Sequence, residues 1–536
     1  MPAFLEVWLP LAACTLIALF YKSLVDRGSV GPILTLLALE LGSLLLWALY
    51  WMVLYPAYLT PFRHLPTPPK RSWLRGNRTK LLPDNPWVEV REVMETLPNN
   101  GLIRFYEAFS REVLVITSID AIKEMNSVKP YDFGHPKQVK YMLGRITSSN
   151  FNFLSEHGHK MFRKHLRPAF TVQHTRKLVP AVWDKAQEMI QLMERESRNT
   201  PDSPVDLRDY IRRVMWDTSG LAMFGHDFQT LGHPEGGIRD RFALLLSEFS
   251  GPAWVRLIMY FVDLRPLLTL LSPLAMKTSL GRALTYVRGA VGSVVADNEQ
   301  KYKSAGKQDL NITSVSVASG IFPHNELIDN GMLFLTAGPN STGTAIEWAL
   351  YELSKRPEMQ ERLRAEVRAC LDVADKADDI GQKLASLPYL NAICSEVIRC
   401  YPFVPLSPKV TEKDTTLLGV PVPKDTALAV PVEALNRDPK LWGPDADVFN
   451  PDRWMGGDNA LNGGAPNNFA MLSFGAGPNI CIGQNQARAF LACVVAAVVR
   501  RFDMQLANAE TAGRLRVAPF KKSEEGPMAW LKIVGL

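Results

Sequence analysis

The chain has 536 residues, of which 47% are hydrophobic and 21% charged, enough apolar side chain for a large core and too little polar excess for long disordered tracts. The net charge of +6, from 60 basic and 54 acidic residues, comes without any run of interleaved cations and aromatics, so nucleic acid is not an expected partner. The cysteines (Cys14, Cys370, Cys394, Cys400, Cys481 and Cys493) form no CxxC pair, which argues against structural zinc and against a disulfide scaffold.

In chain order, two apolar stretches come first. Phe4–Tyr21 carries one charge, Glu6, and Pro32–Tyr55 carries one, Glu40. The second is longer than a buried core helix usually needs and reads as a membrane span; the first leaves open whether the anchor has one span or two. No Lys or Arg lies in Met1–Glu6, which disfavours a cleavable leader. Beyond the second stretch Arg63, Lys70, Arg71, Arg75, Arg78 and Lys80 precede any acidic residue, and the positive-inside rule places everything after residue 60 in the cytosol. Pro56, Pro61, Pro66, Pro68 and Pro69 predict an extended, stiff connector. The expected organisation is an anchor over 1–60, a proline-rich basic linker over 61–80 and a catalytic domain over 81–536.

In that domain helical periodicity marks Ala181–Arg198, Arg282–Lys303, Leu327–Lys355, Glu358–Val373, Tyr389–Tyr401 and Gln484–Phe502. Short alternating runs at Val113–Thr117, Thr416–Val420 and Ala427–Val430 read as strands. The expected fold is mainly α with small β-sheets.

The segment Phe474-Gly-Ala-Gly-Pro-Asn-Ile-Cys481-Ile-Gly483 holds a single cysteine behind two glycines and a proline, at the entrance to an apolar helix. Gly475 and Gly477 allow positive φ, and Gly483 lets the helix approach a flat ligand. Helix N-terminal amides favour a thiolate at Cys481, which would suit haem iron; a buried structural cysteine in a glycine loop is the other reading of these residues. The segment resembles the cysteine loop of the cytochromes P450, matching at Phe474, Gly475, Gly477, Cys481 and Gly483. It departs at Asn479, where that family usually carries a cation for a haem propionate.

Three further segments extend the resemblance. Glu396 and Arg399, followed by Tyr401-Pro-Phe-Val-Pro-Leu406 and then by Phe449-Asn-Pro-Asp-Arg453-Trp454, resemble the family's ExxR helix and its partner segment, which implies a structural network of Glu396, Arg399 and Arg453. Taken alone, an i,i+3 Glu–Arg pair is commonplace on a solvated helix. His159 and Arg163 share a helix face, as a basic surface helix would have them; the resemblance makes them propionate ligands, with Lys409 a third.

Finally, Leu333-Phe-Leu-Thr-Ala337-Gly338-Pro339-Asn340-Ser341-Thr342 resembles the family's oxygen-activation helix. Ala337 and Gly338 would leave room for O2, and Pro339, lacking an N–H, would open the helix. Asn340 and Ser341, with Thr342 beside them, replace the family's carboxylate and threonine, so the proton relay would differ.

The resemblance implies haem b as cofactor, electrons from NADPH through a cytochrome P450 reductase, a hydrophobic small-molecule substrate and an endoplasmic reticulum membrane. The linker text resembles fungal microsomal members, which points to secondary metabolism. The altered relay keeps a second reading open, a haem-thiolate isomerase or dehydratase without net oxygen insertion. Phe242–Met276 reads either as core or as a membrane-facing access region.

Overall fold

The computed structural model describes residues 41–43, 45–79, 86–147, 156–199, 205–233, 235–247, 278–305, 309–371, 379–456, 461–506 and 531–533. Phe4–Tyr21, the start of Pro32–Tyr55 and most of Phe242–Met276 lie outside them. The chain forms two compact units.

The first unit comprises residues 1–138, 251–272 and 406–431. Its sheet has the strands β1 (Leu102–Tyr106), β2 (Glu112–Ile116), β3 (Phe133–Gly134), β4 (Ser407–Thr411) and β7 (Ala427–Val430), in the order β1-β2-β7-β4-β3. The β-branched and aromatic runs Leu-Ile-Arg-Phe-Tyr and Glu-Val-Leu-Val-Ile pair antiparallel, with Leu102 opposite Ile116, and bury both of their faces. Burial of Arg104 in β1 is compensated by its ion pair with Glu112 in β2.

The expected strand at Thr416–Val420 is instead a hairpin of β5 (Thr415–Leu417) and β6 (Val420–Val422). Leu418 and Gly419 both adopt positive φ, 50° and 76°, which makes the tight reversal that strand twist favours. The connector also differs from expectation. Pro56 lies inside a helical stretch, Tyr50–Leu59, and the following prolines are docked on β1, where Arg104 donates its backbone N–H to the Pro66 carbonyl at 2.9 Å. An extended spacer would leave those carbonyls to water; here the sheet edge and Asn77 take them. Among the described residues one helix, Leu41–Leu59, is long and apolar enough to cross a membrane, with mean hydropathy 1.3 and very little of it buried.

The second unit comprises residues 139–250, 273–405 and 432–536 and is helical. The helices that build its site are α1 (Glu156–Leu166), α2 (Val172–Asn199), α3 (Leu207–Phe224), α4 (Ser279–Ala305), α5 (His324–Ser354), α6 (Pro388–Cys400) and α7 (Gln484–Arg501). Five of the six predicted helices match α2, α4, α5, α6 and α7, and the sixth is Pro357–Cys370. α3 was not among the expected helices, although Leu207, Tyr210, Ile211 and Val214 are buried at helical spacing opposite Arg208, Asp209, Arg212 and Arg213; from Val214 to Phe224 nearly every residue is buried and the polar face is lost. Its ends were legible: Asp206 caps the first turn through the N–H groups of Arg208 and Asp209, and Gly225 closes it at φ +67°. The core joins α2, α3, α5, α6 and α7 through side chains such as Trp183, Ile211, Leu350, Ile393 and Val495. At the described start of Phe242–Met276, Phe242 and Leu245 are buried, the Phe242 ring 5.3 Å from that of Trp216, while Ala243 and Leu244 are exposed.

Candidate active site

The cysteine loop is closed by its own backbone. Gly475 and Gly477 stand at φ +73° and +68°, and the Cys481 N–H donates to the Phe474 carbonyl at 2.7 Å, bringing Cys481 to the first turn of α7. There the Cys481 side chain is exposed, while Ala476 and Leu472 behind it are buried. A Cβ on Gly483 would stand 4.0 Å from Cys481 Sγ and 3.9 Å from the Phe170 ring, so the missing side chain keeps the thiol's flank open.

Although Cys481 is open to solvent at the loop surface, the atoms packed around its thiol push it up, and the Gly483 N–H and the Arg163 charge pull it back in part.

From α1, Arg163 donates to the Ile480 carbonyl at 2.6 Å, directly beside the cysteine. His159, one turn earlier, is buried, and that burial, reinforced by the Arg163 charge, lowers its pKa. Both expected residues of α1 therefore stand on the side of the helix that meets the loop. Asn479 is exposed at the loop's tip. Lys409 lies in the first unit on β4, opposite Leu428, where burial pulls its pKa down.

The predicted network is present and larger than expected. Glu396, wholly buried, accepts from Arg399 Nε and Nη2 at 2.8 and 2.7 Å, from Arg453 Nε at 3.1 Å, from the Asn450 N–H at 2.9 Å and from Trp454 Nε1 at 2.9 Å. Burial alone would depress the Arg399 pKa; its bonds to Glu396 outweigh that and hold it up. Arg399 further donates to the carbonyls of Asn436 and Ala446 at 2.8 and 2.6 Å.

Asn436, which sequence reasoning missed, carries this network to the cysteine loop. Its Nδ2 donates to the Arg399 carbonyl and to Ser473 Oγ at 2.9 and 2.8 Å, and its Oδ1 accepts the Leu472 N–H at 3.0 Å. Ser473 Oγ in turn donates to the Ile398 carbonyl at 2.5 Å. The next residue is Phe474, whose carbonyl holds the Cys481 N–H. Arg488 of α7, also missed, lies 5.3 Å from the Phe474 ring centroid and donates to Ser395 at 3.1 Å. No sequence signal marks Asn436, which follows Val432-Glu-Ala-Leu435 and precedes the charged pair Arg437-Asp438.

On α5 the less buried residues Leu333, Thr336, Ala337, Asn340, Ser341 and Thr344 recur at helical spacing and define one open stripe. Ala337 is exposed between buried Leu335 and Pro339. Gly338 is half-buried, and a Cβ there would come 2.6 Å from Met223 Cε, the tip of a flexible α3 side chain; Gly343 faces α3 at ordinary contact distance, and Gly331 packs against Val291 of α4 and Phe224 of α3. Ala337 is the more exposed of the expected pair.

Pro339 does not open the helix, which runs without a break from His324 to Ser354. Ser341 Oγ donates to the Ala337 carbonyl at 2.6 Å, one turn back, while the carbonyl that Pro339 leaves without its helical N–H donor is that of Leu335. Thr342 is buried, and Asn340 is half-buried. Phe170 links α5 to the loop: its ring is 5.7 Å from that of Phe334 and in contact range of Gly483.

The approach of Met223 to Gly338 has a measurable consequence. Gly338→Leu is expected to cost about 1–3 kcal/mol by overpacking against Met223 while leaving ligand-binding spectra unchanged. Thermal unfolding alongside ligand titration checks it; altered spectra at unchanged stability would put Gly338 in the groove instead.

A profile of the cytochrome P450 family matches residues 66–514. With an exposed thiol on a glycine-shaped loop, a flanking guanidinium and a groove helix of small residues, the chain belongs to the cytochrome P450 family. Among curated proteins it is 39% identical to the cytochrome P450 monooxygenase FSL4 of Gibberella zeae, over 94% of this chain and 93% of that one. It is 37% identical to the monooxygenase sphH of Aspergillus fumigatus, over 90% of each chain, and 30% identical to buaD of Petromyces alliaceus, over 88% and 87%. The chain is a haem-thiolate monooxygenase, and its cofactor is haem b.

Proposed function

We propose that Cys481 would hold the haem iron through its thiolate in a membrane-bound, cytosol-facing enzyme that oxidises a hydrophobic small molecule of fungal secondary metabolism. The observation that carries this reading is the exposed Cys481 at the start of α7, held by the Phe474 carbonyl and flanked by Arg163. Bound haem supplies oxygen activation, with the thiolate's electron donation favouring O–O cleavage.

The chain's own residues do the rest. Gly475, Gly477 and Gly483 let the backbone approach a planar ligand; His159, Arg163 and Asn479 are the donors for its carboxylates, with Phe474 packed beside the loop. Ala337 keeps the α5 groove shallow. Asn340, Ser341 and Thr342 position water for proton delivery, with Asn340 as a neutral hydrogen-bonding group where a carboxylate is usual. Because Ser341 donates to the Ala337 carbonyl, its oxygen serves as an acceptor for such a water unless that bond breaks. Leu41–Leu59, about 28 Å long at 1.5 Å per residue, matches a bilayer core and supports the anchor, with NADPH–cytochrome P450 reductase in the endoplasmic reticulum membrane as electron donor.

Turnover in reconstituted membranes is expected to require NADPH and the reductase, and to place one atom of labelled O2 in the product. Product formed without NADPH, O2 or label would replace this reading by the isomerase or dehydratase alternative.

A further inference from the structure

Helix α7 carries one cation inward behind the cysteine loop. Arg488, on its second turn, is half-buried, and beyond it the helix has no charged residue until Arg500. The guanidinium is held at two points. Nη1 donates to Ser395 Oγ at 3.1 Å, and Cζ lies 5.3 Å from the Phe474 ring centroid. Because the Phe474 carbonyl accepts the Cys481 N–H at 2.7 Å, the cation stands against the same residue that positions the thiol.

Both partners are neutral. Among the described residues no carboxylate pairs with Arg488, and Glu396, next to Ser395 in the chain, is taken by Arg399 and Arg453. The two buried arginines therefore differ: bonds to Glu396 hold the Arg399 pKa up, whereas burial pulls that of Arg488 down with no carboxylate to offset it. The neighbouring Cys394 thiol, pushed up to about 12 by burial, is neutral too. A guanidinium keeps its proton even there, so Arg488 is a fixed charge without a counter-ion.

Reducing ferric to ferrous haem takes one positive charge away from the group. A fixed cation nearby favours the reduced state, and it acts more strongly through protein than through water because screening there is weaker. We propose that Arg488 tunes the enzyme for electron uptake, its uncompensated charge, tethered by Ser395 and Phe474, easing the one-electron reduction of the haem by the reductase. This rests on Cys481 as the residue that holds the iron.

The test is the midpoint potential of the full-length holoenzyme in detergent, measured by spectroelectrochemistry. Arg488→Gln removes the charge and Ser395→Asp neutralises it in place. Each is expected to lower the equilibrium constant for reduction several-fold, tenfold being about 59 mV for one electron. Arg488→Lys keeps the charge and should stay near wild type. If only one of the neutralising variants loads haem, that one decides. A wild-type potential in a haem-loaded neutralising variant would overturn the inference. So would an equal fall in Arg488→Lys, or failure of both neutralising variants to bind haem, since either marks a packing role. A wild-type enzyme whose reduced, carbon-monoxide-bound form lacks the red-shifted Soret band would instead sink the reading of Cys481 itself.

Discussion

Cys481→Ala is expected to abolish oxygenation and to remove the red-shifted Soret band of the reduced, carbon-monoxide-bound protein. The variant should still fold, because the side chain is exposed and the loop is closed by the Cys481 backbone N–H, which alanine keeps. Circular dichroism of the apoprotein should therefore stay helical while haem content falls. Cys481→His separates ligation from electron donation: imidazole can hold haem iron but lacks the thiolate's push, so bound haem without monooxygenase activity is the expected result. A wild-type spectrum in Cys481→Ala would remove this residue from the site.

Glu396→Gln is expected to do comparable damage by a different route. The carboxylate stands among five donors, two of the groups being guanidinium ions, and the side chain has no solvent to retreat to. Glutamine would turn one acceptor oxygen into a donor facing donors and leave the buried Arg399 without its carboxylate partner, with Arg453 retaining Asp445, a change that costs about 3–5 kcal/mol. Against a total stability of roughly 5–15 kcal/mol, the yield of haem-loaded protein should collapse. Trp454→Phe removes only the Nε1 bond to Glu396 and should cost about 1–3 kcal/mol. Expression as holoprotein and thermal unfolding of both variants measure the order; stability of Glu396→Gln equal to wild type would show that the network is dispensable.

Much of this protein was legible in local pattern. Helices with one buried face, such as α2, declared themselves through apolar spacing, and the cysteine loop through glycines that only positive φ explains. Glu396, Arg399 and Arg453 were found by the segments around them and meet as expected. Features that depend on a partner far along the chain were not legible. The second half of α3, Val214–Phe224, is buried on nearly all sides, so periodicity fades there although Leu207, Tyr210, Ile211 and Val214 mark its start. Asn436 has no local signature, since its role exists only where α6 and the Leu472–Ser473 segment converge on it.

The oxygen-activation helix shows the boundary most sharply. Composition alone determined that residues 337 and 338 are small, and that Asn340 and Ser341 replace an acid and a threonine. Packing decided that Gly338 turns toward Met223 of α3 and that Ala337 is the more exposed, because helical rotation places adjacent residues about 100° apart. It also decided that Pro339 leaves α5 intact from His324 to Ser354. Sequence determined which chemical groups the site has; the tertiary structure decided which way each of them faces, since direction depends on neighbours that no local stretch of chain contains.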